Sequence, residues 1–321
     1  MDVLKLRLSM FGTLSIIIAA STLFMAIVMS LMGILNMVSL AFFVIFVNIA
    51  QWLFSPYLID MMYRTKEVSR LESPRLHSMV EQLSRKLGLK TPRLMLANIP
   101  IPNAFAYGSP VAGNRVALTA GLMRELEQEE IEAVVGHELG HLKHRDMQVM
   151  MLASVLPALF YYLGYSMMLS SWYGGGRRRE QSDAAPILIG VASMAVYWML
   201  TLFTLGLSRL REYYADQTSV SIVDDGERKL SEGLAKIVAA TSRGKHQYVQ
   251  ASGLNGFKAL FISDPDTAEG DAAMLRSTRA YGDDQQLVRE ILSRKVTGFD
   301  RFAELFSTHP NIVKRLQALA A

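Results

Sequence analysis

The stretch VVGHELGHLKHRD, residues 134–146, places two histidines four positions apart, with a glutamate directly after the first. On an α-helix, residues four apart lie about 40° from each other around the axis. His137 and His141 therefore project from one face and can reach a single ion, and Glu138 lies beside that face. An uncharged apolar run begins directly after this polar group, at residue 147.

The composition indicates a membrane protein. Of the 321 residues, 51% are hydrophobic and 19% are charged, and the mean hydropathy of +0.22 is too high for an ordinary soluble domain. Cysteine is absent, which excludes disulfides, thiol chemistry and a cysteine zinc ribbon. The net charge of +4 is mild and the basic residues are scattered, so we expect no nucleic-acid partner.

Four uncharged runs predict membrane-spanning helices, because each reaches the roughly 20 residues that a helix needs to cross a bilayer. They are residues 9–32, 37–59, 147–171 and 185–206. The first is expected to be a retained anchor, since its apolar run is longer than that of a secretory signal and no cleavage site stands out. We expect the spans to form two hairpins.

Basic residues predict the orientation of the first hairpin. Lys5 and Arg7 precede the first span, Arg64 and Lys66 follow the second, and the turn between them carries no basic residue. Positive residues favour the cytoplasmic side, so both ends of this hairpin are expected there. We therefore predict a multi-pass protein of the cell (inner or plasma) membrane.

The second hairpin partly conflicts with this orientation, because Arg177, Arg178 and Arg179 would lie on the far side. Either the first hairpin dominates the orientation, or the second lies partly in the membrane interface. We expect it to cross, which places the polar regions on the cytoplasmic face.

The histidine pair has the HExxH spacing of zinc peptidases. Two neutral imidazoles and one carboxylate bind zinc and leave a fourth position for water, whose pKa then falls toward about 7. Glu138 is expected to take the proton of that water and to pass it to the leaving amine. His144 is expected to be a solvated histidine rather than a ligand.

The third ligand must come from another segment. Glu212 and Asp216 are one turn apart on a predicted helix, and either a ligand role or a solvated surface pairing with Arg209 and Arg211 fits the residues alone. His141 stands six residues before the third span and Glu212 six residues after the fourth. A hairpin would therefore bring both to the same membrane surface.

The polar regions predict an α+β domain in two pieces. Residues 73–89 have helical periodicity, while RLMLANIPIPNAFAYG and NRVALTAG indicate short strands. Further helices are expected at 207–223, 227–242 and 310–320, and long loops over 244–300. The predicted organisation is a first hairpin at 1–62, the first part of the catalytic domain at 63–146, a second hairpin at 147–206, and the second part, with the third ligand, at 207–321.

With these motifs in this order, the chain resembles the HtpX family of membrane zinc metalloproteases, relatives of the CAAX prenyl proteases. The resemblance rests on the paired apolar spans, HELGH, the ExxxD motif at Glu212 to Asp216, and LFSTHPNIVKRL near the C-terminus. It implies a zincin-like domain with one zinc ion per chain, held by His137, His141 and Glu212. It also implies that Glu138 is the general base and that Asp216 orients a ligating histidine.

The resemblance extends to two further segments. His309 would help to stabilise the oxyanion with support from Arg315, although STHPN also suits a helix start capped by Ser307 or Thr308, with Pro310 in the first helical position. The segment Asn103, Ala104, Phe105 and Ala106 would be an edge strand to which substrate backbone is added.

The predicted function is hydrolysis of peptide bonds in membrane or misfolded proteins, which the resemblance associates with membrane protein quality control and stress response. The alternative is an inactive membrane scaffold with a structural zinc site. Glu138 argues against this alternative, because a structural site has no use for a base. A transporter is disfavoured, because the spans carry no ionisable residue.

Overall fold

The computed structural model of the protein describes residues 37–173, 185–248 and 284–321. Within these ranges the strands are β1 (Lys66–Glu67), β2 (Arg93–Ala97), β3 (Ala104–Ser109) and β4 (Gly113–Thr119). The helices are α1 (Met37–Tyr63), α2 (Pro74–Lys86), α3 (Ala120–Glu125), α4 (Gln128–Lys143), α5 (Asp146–Tyr173), α6 (Ala185–Ile222), α7 (Gly226–Tyr248), α8 (Asp284–Leu292), α9 (Gly298–Glu304) and α10 (Ile312–Leu319).

Two of the described helices are long and apolar enough to cross a membrane. Their candidate spans are Asp146–Leu169 in α5 and Pro186–Ile222 in α6. The predicted span 37–59 is helical within α1, and the predicted span 9–32 lies outside the described residues. The total of four spans stays a prediction.

The chain divides into two compact units, one within residues 1–51 and 149–204 and the other within 52–148 and 205–321. In the first unit α5 packs antiparallel against α6. The rings of Tyr161 and Tyr197 meet edge-on with centroids 5.2 Å apart. A Cβ on Gly164 would lie 3.0 Å from the carbonyl oxygen of Gly190, so the absence of side chains permits this close approach.

A four-stranded mixed sheet forms the centre of the second unit, in the order β1-β2-β4-β3. β2 runs parallel to β4, and β3 runs antiparallel to it, with Ala106 opposite Val116. β3 is therefore an edge strand of this sheet. Phe105 and Tyr107 face an aromatic cluster with Tyr63 at the end of α1, the Phe105 ring centroid lying 5.1 Å from that of Tyr63.

α4 is the central helix of the second unit. It begins where the Glu127 N–H donates to the Glu130 carboxylate at 2.7 Å, and Glu129 and Glu130 lie in its first turn, where carboxylates suit the positive helix end. Its apolar residues share one core with the sheet and α7, and those buried in it include Ile131, Val134, Val135, Leu139 and Leu142. Burial on all sides fixes the rotation of the helix and hence the direction of its histidines.

α6 is longer than the sequence predicted. The expected span 185–206 and the expected helix 207–223 form one continuous helix, Ala185–Ile222. No proline follows Pro186 in this helix, and SRLREYYADQ consists mainly of residues that tolerate a helix. Glu212 and Asp216 are therefore carried by the same helix as the fourth predicted span.

The expectation of loops over 244–300 is wrong for the part that the structure describes. α7 continues to Tyr248, and α8 buries Leu287, Val288 and Ile291, whose helical spacing gives it an apolar face. α9 begins with a capping box between Thr297 and Asp300. Residues 249–283 lie outside the described ranges.

The predicted cap of the C-terminal helix is also wrong. α10 begins at Ile312, and the Asn311 side chain accepts from the Val313 N–H at 2.9 Å. Pro310 therefore precedes the cap instead of occupying the first helical position. Ser307 instead accepts from the His309 N–H at 3.2 Å and stabilises the turn before α10.

Candidate metal centre

α4 presents the residues of the HExxH motif toward one point. His137 and Glu138 are buried and His141 is half-buried. The Nε2 atoms of the two histidines lie 3.1 Å apart, and one ligand atom from each of the three residues falls within 4.8 Å of the others. The one-turn spacing thus brings both imidazoles to one location, as predicted.

Glu212 of α6 faces both imidazoles. Its Oε2 lies 3.6 Å from His137 Nε2, and its Oε1 lies 3.6 Å from His141 Nε2. Oε2 is buried and has no hydrogen-bond partner within the described residues. A buried carboxylate oxygen without a hydrogen bond is costly unless a positive charge lies near it, and the Arg315 guanidinium at 3.3 Å supplies part of that charge.

The spacing of these three groups fits a tetrahedral ion. Ligand atoms bound at about 2.0–2.2 Å around such an ion are about 3.3–3.6 Å from each other. The nitrogen pair at 3.1 Å and the two oxygen contacts at 3.6 Å lie close to that range. Glu138 is less suited than Glu212 to be the third ligand, because its Oε2 already accepts a hydrogen bond from the Ala106 N–H at 2.7 Å.

Asp216 lies on the other side of His137. Its Oδ1 is 2.9 Å from His137 Nδ1, and its two oxygens accept from Arg315 at 2.6 Å. A carboxylate can only accept, so this contact leaves the proton on Nδ1 and frees Nε2 to bind a metal. Arg315 Nη1 also lies 3.3 Å from Glu212 Oε2.

These contacts perturb the pKa of His137. Burial and the Arg315 charge lower it, whereas hydrogen bonds to Asp216 and Glu212 raise it, and the net result is a pKa of about 9. In the metal-free protein the two carboxylates therefore hold a proton on the imidazole. A metal cation bound between His137, His141 and Glu212 would replace that proton.

The predicted substrate strand lies next to Glu138. Ala104, Phe105 and Ala106 belong to edge strand β3, and Asn103 directly precedes it. The Asn103 N–H donates to Thr119 Oγ1 at 2.9 Å, which ties the start of β3 to the end of β4. Ala106 turns its N–H away from β4 toward Glu138, so the free side of the strand faces the motif.

His309 also reaches this group of residues. Its Nε2 lies 3.8 Å from Glu212 Oε1, and its Nδ1 lies 3.0 Å from Thr308 Oγ1. By contrast, His144 is exposed and contacts Thr218 Oγ1 at 2.9 Å. Of His144 and His309, His309 is the one close to Glu212.

Asp146 was not singled out from the sequence. It is the first residue of α5, it is buried, and its Oδ2 lies 2.5 Å from His141 Nδ1. Arg211 Nε lies 3.0 Å from its other oxygen. The available signal was a lone aspartate five residues after the motif, at the first position of an apolar run.

A second acidic group occurs within the described residues, formed by Glu130, Glu232 and Asp284. Lys236 Nζ lies 2.7 Å from Glu130 and 2.8 Å from Asp284. The ammonium group bridges two of these carboxylates and Arg228 pairs with Glu232 at 2.7 Å, so this cluster ties α4, α7 and α8 together.

Comparison with known proteins identifies the family. The model of peptidase family M48 matches residues 70–321 of the chain. The chain belongs to peptidase family M48. It is accordingly a metallopeptidase, and the two long apolar helices among its described residues fit a membrane protease.

Curated relatives confirm the resemblance to HtpX. Protease HtpX homolog of Thermoplasma acidophilum is 37% identical over 292 residues, which cover 89% of this chain and 85% of the relative. Protease HtpX homolog 2 of Saccharolobus solfataricus is 36% identical over 329 residues, covering 99% and 97%. The homolog of Aeropyrum pernix is 39% identical over 272 residues, covering 84% and 82%.

A solved structure shares the fold. The crystal structure of S. mikatae Ste24p matches 99% of this chain and 67% of its own chain, with a TM-score of 0.59 and 16% sequence identity. At this identity the likeness shows the fold alone. It agrees with the prediction of a metalloprotease domain combined with apolar helices.

Proposed function

We propose that this chain is a zinc endopeptidase of the cell membrane that cleaves membrane or misfolded proteins in protein quality control. The observation that most supports this proposal is that His137, His141 and Glu212 converge on one point beside Glu138. Two imidazoles and one carboxylate are a known ligand set of catalytic zinc, with one position left open. When bound, one zinc ion supplies the Lewis acidity that activates water and polarises a carbonyl.

The chain's own residues carry the proton and hold the substrate. The Ala106 N–H holds Glu138 Oε2 at 2.7 Å, which leaves Oε1 to accept the proton of the attacking water and to return it to the leaving amine. The free edge of β3 pairs with substrate backbone. His309 donates to the developing oxyanion, with Arg315 as the supporting cation near Glu212.

The general-base role is tested with Glu138→Gln in detergent-solubilised full-length protein. Because the amide cannot accept the proton, cleavage of a disordered protein such as casein is expected to fall by about 10²-fold or more, while zinc content stays unchanged. Glu132→Gln makes the same substitution on the same helix at a residue that pairs with Lys229, and it should retain activity. Equal cleavage by wild type and Glu138→Gln would discard the mechanism in which Glu138 is the base, and no cleavage by the zinc-loaded wild type would favour the inactive scaffold.

The proposed topology places the active site in the cytoplasm. Because the chain has no cysteine, single cysteines can be introduced and labelled in intact cells with a thiol reagent that does not cross membranes. Arg178→Cys, between the third and fourth predicted spans, is expected to react from outside. Ser293→Cys, at an exposed position after α8, is expected to react only after lysis. The opposite pattern would reverse the topology.

A further inference from the structure

We propose that Asp146 is a positioning residue for His141, an inference that rests on the proposed zinc site. Asp146 is only 2% exposed although it is charged. Its Oδ2 lies 2.5 Å from His141 Nδ1. A carboxylate buried this far needs strong partners, and here one of them is the imidazole of a proposed ligand.

The contact selects one tautomer of His141. Because the carboxylate only accepts, Nδ1 carries the proton and the lone pair of Nε2 points away from Asp146. That Nε2 is the atom that faces Glu212 Oε1 at 3.6 Å and His137 Nε2 at 3.1 Å. The hydrogen bond thus fixes the tautomer and the direction of the ring in the form that binds a metal.

Each proposed histidine ligand then has its own carboxylate. Asp216 contacts His137 Nδ1 at 2.9 Å, as Asp146 contacts His141 Nδ1. Both carboxylates are themselves held by arginine, Asp216 by Arg315 and Asp146 by Arg211, whose Nε lies 3.0 Å from Asp146 Oδ1. Arg211 directly precedes Glu212, so the ion pair joins the start of α5 to the turn of α6 that carries the proposed third ligand.

A purely structural role makes different predictions. Asp146 is in the first turn of α5, where a negative charge stabilises a helix whatever lies nearby. If that were its only role, its replacement would lower the stability of the fold but would leave zinc affinity and ligand geometry unchanged. If Asp146 positions His141, its replacement must also change the zinc affinity and the ligand geometry.

The test measures the metal site directly, on full-length protein in detergent. Zinc affinity is obtained by competition with a chelator for wild type, Asp146→Asn and Asp146→Ala, and the visible spectrum of the Co²⁺-substituted protein reports ligand geometry. We expect zinc binding about 10–100-fold weaker in Asp146→Ala. Asp146→Asn should show a smaller loss, because its amide oxygen still accepts from Nδ1. Both variants should show a shifted Co²⁺ spectrum.

The matched control is Glu232→Gln, which also removes a buried carboxylate paired with an arginine, Arg228. This control should keep wild-type zinc affinity. If Asp146→Ala does not fold, Asp146→Asn decides the outcome. Wild-type affinity and spectrum in the folded Asp146 variants would overturn the inference, whereas wild-type protein that binds no zinc would overturn the proposed function instead.

Discussion

Glu212 and Asp216, one turn apart on α6, take different positions around the imidazoles. The Glu212 oxygens face the Nε2 atoms at 3.6 Å, and one of them is buried without a hydrogen bond within the described residues. Asp216 is paired with Arg315 and contacts Nδ1 of His137. The pattern ExxxD therefore combines one carboxylate that faces the Nε2 atoms and has an oxygen without a hydrogen bond with one whose two oxygens both accept from Arg315.

This difference predicts an order of effects on zinc affinity. Asp216→Asn should weaken zinc binding by about 10–100-fold, as expected for a group that orients a ligand. Glu212→Gln should weaken it more, because the substitution removes the charged donor itself. Chelator competition on both variants measures the order. A larger loss in Asp216→Asn than in Glu212→Gln would assign the ligand role to Asp216.

Among the elements, the contact between α4 and α6 decides the geometry of the site. A Cβ on Gly140 would lie 3.0 Å from Ala215 Cα, and one on Gly136 would lie 2.9 Å from Ser219 Oγ. Ser219 also donates to the Ala133 carbonyl at 2.6 Å. Gly136 and Gly140 of α4 therefore allow α6 to approach closely enough for Glu212 to face the histidines.

Gly140→Ala is therefore expected to displace α6 from α4. The added methyl group meets backbone rather than a flexible side chain, so a cost of about 1–3 kcal/mol in the free energy of unfolding is expected. Zinc affinity should fall with it, because Glu212 moves with α6. Unfolding in urea and chelator competition measure the two effects.

Gly233→Ala in α7 is the matched control. Its new Cβ would lie 3.5 Å from its nearest neighbours, which is ordinary contact. It should therefore leave zinc affinity unchanged and raise stability by about 0.5–1 kcal/mol, through the better helix propensity of alanine. If Gly140→Ala behaved like this control, the close approach of α4 and α6 would not set the site.

For the molecule as a whole, the proposed zinc site links segments that are far apart in sequence. α4 carries two of the proposed ligands before the apolar part of α5, and α6 carries the third after its own apolar part. A ligand that binds only the folded chain stabilises it by mass action. Zinc is therefore expected to couple the folding of the two halves of the metalloprotease domain.

Acidity should oppose zinc binding. In the metal-free protein the pKa of His137 is raised from 6.5 to about 9, so the ring carries an extra proton at pH 7. Zinc must displace that proton. Binding at pH 7 should therefore release a proton, and the apparent affinity should increase as the pH rises toward about 9. Calorimetry in two buffers of different ionisation enthalpy measures the released protons, and a value of zero at pH 7 would contradict the expectation.

The same pKa has a consequence for stability. A raised pKa in the folded state stabilises the metal-free fold, and this contribution is complete below the ordinary value of 6.5. It is lost as the pH rises through about 9. Bound zinc removes the dependence, because the liganded imidazole no longer titrates in this range.

The predictions from sequence were most accurate where one residue pattern defines a local structure. The HExxH spacing placed both imidazoles on one face, Glu129 and Glu130 marked the start of α4, and Ala104, Phe105 and Ala106 lie in an edge strand. The predicted cap of the C-terminal helix was wrong, because several neighbouring residues can cap a helix. The loops expected over 284–300 were also wrong, because two helices form there. Packing of Leu287, Val288 and Ile291 settles the second case.

The sequence by itself determined the apolar runs, the histidine pair, the glutamate beside it and two candidate carboxylates, because hydropathy and helical periodicity are local properties. Only the tertiary structure decided that Glu212 faces the Nε2 atoms, that Asp216 meets Nδ1 of His137, and that Asp146 does the same for His141. The physical reason is that these distances depend on how α4, α5 and α6 are rotated and shifted against each other. That arrangement follows from packing among many residues, including the glycine contacts of α4, and not from any one motif.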